Sequence, residues 1–266
     1  MTQNTWNVES VAAELMACEA ERRDRVRFTD EWPELDVDTG YQIQDLNLEK
    51  RLARGEKLIG VKLGLTSKAK QERMGVYAPF VAWLTDAMVL PLGEPVPQDK
   101  LIHPRIEPEI VFVMKDRLEG PGVTCESAMA AVDTVSAGAE IIDSRYKDFK
   151  FRAGDVIADN ASSGAFAVGE KVVNAADIDV VAEAVRVEVD GELVHTATGA
   201  DVQGHPGEAL ALAANDLARR GLAIEAGWIV LTGGMSDAVF APAGSEVACR
   251  FSTLGDVVIH GGPVEG

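Results

Sequence analysis

The chain has 266 residues, 47% of them apolar, and a formal net charge of −18 at pH 7. This length and apolar content allow a sizeable buried core and argue against disorder. The negative charge disfavours nucleic acids and anionic membranes as partners, because both would be repelled. Three scattered cysteines, Cys18, Cys125 and Cys249, give neither a disulfide framework nor a zinc spacing. No apolar run is long enough to span a bilayer and the N-terminus lacks a secretory pattern, so we expect a cytoplasmic enzyme.

The N-terminal part of the sequence predicts helices. Up to Val26, apolar residues recur at spacings of three and four among charged residues. A second helix is expected from Gly40 to about Ala53, with Asp38 and Thr39 as candidate caps.

A strand is predicted from Leu58 to Leu65, and it carries a notable lysine. Lys62 alternates away from the aliphatic face of this strand and lies between Gly60 and Gly64, which leaves room for a ligand around the ammonium group. The alternative is a lysine that reaches from the strand to the surface.

The rest of the chain predicts mainly strands and hairpins. The expected elements are a short helix over Ser67–Met74, a loop over Pro91–Pro97, a strand over Glu109–Met114, a helix over Thr124–Val132, a hairpin over Val185–Val194 that turns at Asp190 and Gly191, a helix over Gly207–Arg220, and closing strands over Trp228–Leu231, Glu246–Phe251 and Asp256–His260. There is no strand-helix alternation and no glycine-rich nucleotide loop. We therefore expect an α+β fold, with a mostly helical N-terminal region over residues 1–76 and a β-rich catalytic body over residues 77–266.

Three glutamates are the candidate functional residues. Glu107 and Glu109 flank Pro108 and would point to the same side of an extended chain, roughly 7 Å apart. Glu140 stands alone in an apolar run, where an unpaired carboxylate is unfavourable. Without histidine or cysteine, such a set suits Mg2+ or Mn2+. The alternative is a solvated face at the start of an edge strand, which Pro108 would fit.

A second charged feature lies just after Glu140. Four cationic residues fall within eight positions of this acidic chain: Arg145, Lys147, Lys150 and Arg152. They could attract an anionic substrate, or they could form a solvated loop or strand edge.

Four motifs in order resemble one family. They are Gly60-Val61-Lys62-Leu63-Gly64-Leu65-Thr66-Ser67, His103-Pro104-Arg105-Ile106-Glu107-Pro108-Glu109-Ile110, Glu140-Ile141-Ile142-Asp143-Ser144-Arg145 and Ala158-Asp159-Asn160-Ala161-Ser162-Ser163. Together they resemble the hydratase/decarboxylase family of catechol meta-cleavage pathways, within the fumarylacetoacetate hydrolase fold superfamily. The resemblance covers essentially the whole chain. It implies a mixed β-roll body with a smaller helical N-terminal region.

The resemblance also implies roles for particular residues. Glu107, Glu109 and Glu140 would bind Mg2+ or Mn2+, and Lys62 would lie in the active site. Ser162 would line the substrate pocket, and Asp86 and Arg145 are further candidates for substrate binding. The family implies a 2-oxo dicarboxylate as substrate, a homo-oligomer, and a companion hydratase that takes up the unstable dienol product.

Two branches of the family share this metal chemistry. The segment Asp143-Ser144-Arg145-Tyr146-Lys147-Asp148-Phe149-Lys150-Phe151 resembles the branch that decarboxylates 2-oxo-3-hexenedioate, as does Leu231-Thr232-Gly233-Gly234. In the branch that hydrates 2-hydroxypentadienoate, a tryptophan is expected near Phe149. The stretch Pro79-Phe80-Val81-Ala82-Trp83-Leu84 departs from the usual Tyr-Gly-Phe pattern, so Val81 and Ala82 leave the pocket shape open. The resemblance therefore favours a lyase that releases CO2, with the hydratase as the alternative.

Overall fold

Two β-sheets form the body of the protein in a computed structural model that describes residues 6–66, 71 and 79–262. The strands are β1 (Leu58–Gly64), β2 (Phe80–Thr85), β3 (Arg105–Met114), β4 (Val132–Ile142), β5 (Ser163–Asn174), β6 (Ala184–Val189), β7 (Glu192–Thr198), β8 (Ile229–Leu231), β9 (Val239–Phe240), β10 (Glu246–Phe251) and β11 (Gly255–His260). The larger sheet has the order β2-β1-β8-β3-β4-β5, with β9 also paired to β3. The smaller sheet has the order β11-β10-β6-β7.

The larger sheet is mixed, because β1 and β8 run parallel while its other pairs are antiparallel. The smaller sheet is antiparallel throughout. Its strand β11 packs against β4 and β5, and one apolar core spans both sheets. Strand β3 lies inside the larger sheet, with β4 on one side and β8 and β9 on the other. Side chains on β3 are therefore held by neighbours on both edges.

Five α-helices lie in the described residues. They are α1 (Val8–Glu21), α2 (Val37–Ala53), α3 (Cys125–Ala130), α4 (Ala153–Ala158) and α5 (Pro206–Arg219). Helices α1 and α2 pack together and α2 packs on α4, around a separate apolar cluster that includes Phe28, Ile43 and Tyr146. The α+β prediction is confirmed. In the described part of the chain, no helix has the length and apolar character needed to cross a membrane.

The predicted element boundaries differ from the structure at the helix ends. Helix α1 ends before Val26, because Arg22 adopts a left-handed conformation with φ 53° at its C-cap. Helix α2 begins at Val37 and not at Gly40, because the side chain of Asp36 caps it and accepts a hydrogen bond of 2.8 Å from Thr39 N–H. The predicted caps Asp38 and Thr39 are therefore wrong.

The hairpin prediction is confirmed. Asp190 and Gly191 join β6 to β7 with φ values of 51° and 83°, as a two-residue hairpin turn requires. The helix predicted over Ser67–Met74 lies outside the described residues except for Gln71. The predicted boundary between residues 76 and 77 also lies outside them and stays a prediction.

Strand β3 is longer than predicted, and Pro108 lies in its interior. The strand begins at Arg105 and not at Glu109. Pro108 is opposite Ala139 of β4, and its carbonyl accepts a hydrogen bond of 2.9 Å from Met235 N–H in the connection between β8 and β9. Because no strand among the described residues pairs with this point of β3 on that side, the missing proline N–H interrupts no ladder there. An edge strand, the alternative explanation for the glutamates, is therefore wrong.

Candidate metal centre and active-site cavity

The strand register brings the three glutamates together. Glu107 and Glu140 are directly opposite each other on β3 and β4, and Glu109 follows two residues later on the same face of β3. One carboxylate oxygen from each of the three lies within 4.8 Å of the others. Sheet geometry thus places three acidic oxygen donors around one point.

Glu109 is the most deeply buried of the three, with no exposed surface. Its Oε2 accepts a hydrogen bond of 2.6 Å from Gly233 N–H, and its Oε1 is buried without a hydrogen-bond partner. Burial raises the pKa of this carboxyl well above its usual range, and the neighbouring charges of Glu140 and Glu107 raise it further. A cation between these residues would relieve both effects.

Lys62 of β1 is buried beside the same cluster, with 3% of its surface exposed. Its Nζ lies 2.9 Å from Glu140 Oε1 and donates a hydrogen bond of 3.1 Å to Oε2. The alternative prediction, a lysine that reaches from the strand to the surface, is therefore wrong. The ammonium group instead supplies a buried positive charge at the edge of the carboxylate cluster.

Two glycines allow the backbone to approach the glutamates. Gly233 has φ 112°, and a Cβ there would lie 2.2 Å from Thr66 Oγ1. A Cβ on Gly234 would lie 3.0 Å from the carboxylate of Glu107. Only glycine fits at Gly233, and it lets the backbone N–H reach Glu109. The Gly233-Gly234 pair is therefore a point of close backbone approach to the glutamates.

A cavity of about 550 Å³ opens above the cluster. Its polar lining includes Lys62, Thr66, Glu107, Glu140 and Ser162. The apolar lining is formed by Leu63, Leu65, Phe80, Ile142, Phe149, Phe151, Val156 and Ala161. The cavity therefore joins a carboxylate-rich end to an apolar wall, as in sites that bind small organic acids.

Ser162 faces this cavity from a strained segment. Asn160, Ala161 and Ser162 have φ values of 48°, 48° and 58°, so three consecutive residues other than glycine adopt left-handed conformations. Ser162 is buried, and its Oγ has no hydrogen-bond partner. The hydroxyl is therefore available to a ligand in the cavity.

Arg145 lies beside this segment but is not among the described residues that line the cavity. Its guanidinium is buried and forms an ion pair with Asp159. It also donates hydrogen bonds of 2.6 Å to Asp159 O and 3.0 Å to Ser163 O. These contacts hold both ends of the segment that carries Ser162.

Asp86 is exposed at the end of β2, outside the cavity lining. Its Oδ1 accepts a hydrogen bond of 2.8 Å from Lys57 N–H, and its own N–H donates to Lys57 O at 3.0 Å. These contacts close the β1-β2 pair at its outer end. The structure thus brings Lys62, Ser162 and the three glutamates together, and it leaves Asp86 and Arg145 outside the cavity.

Arg105 lines the cavity although it was not among the predicted site residues. It precedes Glu107 by two positions on β3, so both side chains lie on the same face of the strand. The alternation Arg105, Glu107, Glu109 is visible in the sequence once the strand is extended back to Arg105. The prediction that the strand begins at Glu109 hid this relationship.

The fold and this cluster agree with comparisons to known proteins. The family model described as "Fumarylacetoacetate (FAA) hydrolase C-terminal" matches residues 57–260, which include both sheets. The chain therefore belongs to the fumarylacetoacetate hydrolase family.

Within that family, the chain is similar to two kinds of lyase. It is 40% identical to 4-oxalocrotonate decarboxylase of Pseudomonas putida over 96% of this chain and 97% of the relative. It is also 40% identical to 2-hydroxyhexa-2,4-dienoate hydratase of Comamonas testosteroni, over 88% of this chain and 86% of the relative. The solved structure of 4-oxalocrotonate decarboxylase from Pseudomonas putida G7, complexed with magnesium and adipate, matches with a TM-score of 0.92 and 39% identity, over 95% of this chain and 96% of that one.

Proposed function

We propose that the chain is a Mg2+-dependent decarboxylase that converts 4-oxalocrotonate (2-oxo-3-hexenedioate) to 2-hydroxypenta-2,4-dienoate and CO2. The observation that carries this proposal is the three-glutamate cluster beside a buried lysine, in a chain whose full length matches decarboxylases of this name. The similar structure that holds magnesium and adipate supports both the metal and a six-carbon dicarboxylate as ligand.

The residues present fit a divalent metal. Glu109 Oε1 is a buried carboxylate oxygen without a hydrogen-bond partner, and the three carboxylates converge within 4.8 Å. All three donors are oxygens, the ligand type that Mg2+ prefers. We assign Glu107, Glu109 and Glu140 as its ligands. When bound there, the ion supplies positive charge that favours the developing negative charge on the 2-oxo oxygen of the substrate.

The reaction moves electrons from the far carboxylate to the 2-oxo group. The C5–C6 bond breaks and CO2 leaves, and the electron pair of that bond forms a C4=C5 double bond. The π pair of the C3=C4 double bond moves to form C2=C3, so that C3–C4 becomes a single bond, and the π pair of the carbonyl bond passes to the C2 oxygen. One proton added to that oxygen gives 2-hydroxypenta-2,4-dienoate. The chain must therefore stabilise an oxyanion and provide a proton near it.

Lys62 is the residue that we assign to this oxyanion. Its ammonium is buried next to Glu140 at the polar end of the cavity, where a hydrogen bond to a developing negative charge is stronger than in water. Lys62 donates this hydrogen bond, and its proton is available to the oxygen. The Ser162 hydroxyl donates a further hydrogen bond to the substrate, because it has no partner in the protein.

In this proposal, Arg145 and Asp86 support the elements that carry the site residues from outside the cavity. Arg145 holds the segment 159–163 and thereby positions Ser162. Asp86 fixes the outer end of the β1-β2 pair, and β1 carries Lys62. A direct contact of either residue with the substrate stays a prediction from the family resemblance.

Hydration of a 2-hydroxydienoate is the second candidate function. It is favoured by the relatives named as hydratases, two of which are 40% identical to this chain. Hydration uses the same metal and a similar dienol, and adds water where the decarboxylase loses CO2. The glutamate cluster alone does not distinguish the two reactions.

One assay separates the candidates. The protein is incubated with 2-oxo-3-hexenedioate and, separately, with 2-hydroxypenta-2,4-dienoate, each with and without EDTA. We expect the protein to release CO2 from 2-oxo-3-hexenedioate, and we expect EDTA to abolish this release. Hydration of the pentadienoate without CO2 release would support the hydratase, and no turnover of either compound would refute both functions.

The family context completes the proposal. We place the enzyme in the cytoplasm as a homo-oligomer in the meta-cleavage catabolism of aromatic compounds, with a companion hydratase that takes up the dienol. Light scattering of the purified protein, alone and with such a hydratase, tests the oligomer and the complex.

A further inference from the structure

Arg105 is the cavity residue to which the proposed function assigns no role. It lies on β3 two residues before Glu107, on the face that carries Glu107 and Glu109. Along this face of β3, the fully buried carboxylate of Glu109 is followed by Glu107 and then by the half-buried cation Arg105. A ligand that begins at the carboxylate cluster and extends along β3 would reach Arg105 next.

Two aromatic rings hold the guanidinium of Arg105. Its Cζ lies 4.1 Å from the ring centroid of Phe149 and 4.3 Å from that of Phe240. Phe149 also contacts the ring of His103, with centroids 4.8 Å apart. Stacking on aromatic faces limits the rotamers of an arginine and leaves the N–H edge of its planar group open to an acceptor.

The backbone that presents Phe149 is strained. Asp148 and Phe149 have φ values of 57° and 54°, and left-handed conformations are unfavourable for both residues. Strain of this kind persists where the surrounding structure enforces it and is concentrated at ligand-binding sites. Here it places one of the two rings that orient Arg105.

Arg105 also has unused hydrogen-bonding capacity. Its Nε is buried and has no hydrogen-bond partner. Of the described residues that line the cavity, the other cation is Lys62, which is paired with Glu140. The Nε–H of Arg105 is therefore a donor available to an anionic ligand, in addition to the ammonium group of Lys62.

We propose that Arg105 recognises the carboxylate at the far end of the substrate and thereby selects dicarboxylates over monocarboxylates. This inference rests on the proposed function, in which the 2-oxo acid end occupies the glutamate cluster. Residues two apart on a strand are separated by ~7 Å, which is about the separation of the two carboxyl groups in an extended six-carbon diacid. A guanidinium two positions beyond Glu107 is thus placed for the second carboxylate, and its planar group can donate two parallel hydrogen bonds to it.

The role of Arg105 differs from that of Lys62. The far carboxylate is the group that leaves as CO2. Its ion pair with Arg105 is therefore complete in the bound substrate and weakens in the transition state, because the carboxylate loses its negative charge. An interaction of this kind improves binding and does not accelerate the chemical step. Replacing Arg105 should therefore raise KM and leave kcat unchanged or higher.

Two saturated 2-oxo acids test the proposal by binding alone. 2-Oxoadipate and 2-oxohexanoate share the 2-oxo acid end and differ only at carbon 6, which is a carboxylate in the first and a methyl group in the second. Affinities are measured by calorimetry with saturating Mg2+ for the wild type, for Arg105→Gln, and for Arg219→Gln. Arg219 is exposed on α5, so its substitution makes the same change of net charge away from the cavity.

We expect the wild type and R219Q to bind 2-oxoadipate at least about tenfold more tightly than 2-oxohexanoate, in line with a charged hydrogen-bonded pair. In R105Q this preference should disappear, with the affinity for 2-oxohexanoate unchanged. An unchanged preference in R105Q, no preference in the wild type, or an equal loss of affinity for both acids would each overturn the proposal.

A second variant keeps the proposal testable if R105Q misfolds. Phe149→Leu removes one ring beside the guanidinium and keeps the arginine, and we expect it to lower the preference severalfold. If R105Q does not fold, an F149L protein with the full wild-type preference refutes the proposal. Failure of the proposed function would be distinguishable from failure of this inference. In that case the wild-type protein would release no CO2 from 2-oxo-3-hexenedioate, whatever its preference between the two saturated acids.

Discussion

Glu107 and Glu140 are register partners on neighbouring strands, so two acidic side chains face each other within one sheet. Like charges directly opposite each other destabilise a sheet, and the buried Glu109 adds a third acidic group. Lys62 compensates part of this charge through its ion pair with Glu140. The remaining negative charge favours a bound cation at this cluster.

Replacing Glu109, the most buried of the three proposed ligands, should abolish metal binding without lowering the stability of the metal-free protein. In Glu109→Gln, we expect Mg2+ to give no rise in melting temperature and turnover to fall below detection. Because burial and like charge raise the pKa of Glu109, the metal-free variant should be at least as stable as the metal-free wild type. Thermal unfolding with and without Mg2+ measures both effects. Glu170→Gln, which makes the same change on an exposed position of β5, should behave as the wild type, and a full Mg2+ response in E109Q would contradict the assignment.

The ammonium group of Lys62 should matter more for turnover than for metal binding. In Lys62→Met, we expect kcat to fall by about 10²–10⁴-fold, the range for loss of a positioned acid or hydrogen-bond donor. The Mg2+-dependent rise in melting temperature should remain, because the three glutamates are intact. Steady-state kinetics and thermal unfolding test this together, with Lys171→Met on the exposed part of β5 as control. A variant that loses metal response and activity in parallel would indicate a structural role.

Arg145 should contribute mainly to stability. Its guanidinium is buried against Asp159, so Arg145→Met leaves a buried carboxylate without its partner. We expect the free energy of unfolding in urea to fall by about 3–5 kcal/mol. Arg219→Met, which removes an exposed partner of Asp216, should change it little. Normal stability combined with a large increase in KM would instead place Arg145 in contact with the substrate.

The buried thiol of Cys249 should make stability fall at alkaline pH. Burial raises its pKa from 9.0 to about 12 in the native protein. Between these values the native state keeps the proton and the unfolded state loses it, so the free energy of unfolding falls as pH rises, by up to about 1.4 kcal/mol per pH unit. Urea unfolding at pH 8, 9 and 10 should show a shallower decline for Cys249→Ala than for the wild type. Equal slopes would show that this thiol titrates alike in both states.

Local patterns in the sequence identified much of the fold and of the candidate site. The alternation around Lys62 and the Asp190-Gly191 turn depend on short-range chemistry, and both agree with the structure. The pairing of Glu107 with Glu140 depends on the register between two strands more than thirty residues apart. The single sequence contains no measure of that register, so Glu140 became a candidate third ligand through its apolar surroundings and the family resemblance, and not through its pairing with Glu107.

Other features could not be predicted because they depend on tertiary contacts. Pro108 suggested an edge strand, yet it fits the interior of β3 where β8 has ended and β9 has not begun. In the sequence, Arg145 belongs to a run of four cationic residues. Only the packing of the segment 159–163 shows that its guanidinium forms an ion pair with Asp159. Arg105 became visible as a cavity residue once β3 extended beyond Glu109.

The three glutamates and Lys62 stand on β1, β3 and β4, whereas Phe149 and Ser162 stand on connecting segments. This separation has an evolutionary consequence. Changes in the connecting segments can alter which acid is accepted without moving the carboxylates, so selection can act on substrate preference while the metal chemistry is preserved. The chain is 40% identical both to a decarboxylase and to a hydratase, two relatives whose names give different acids as substrates.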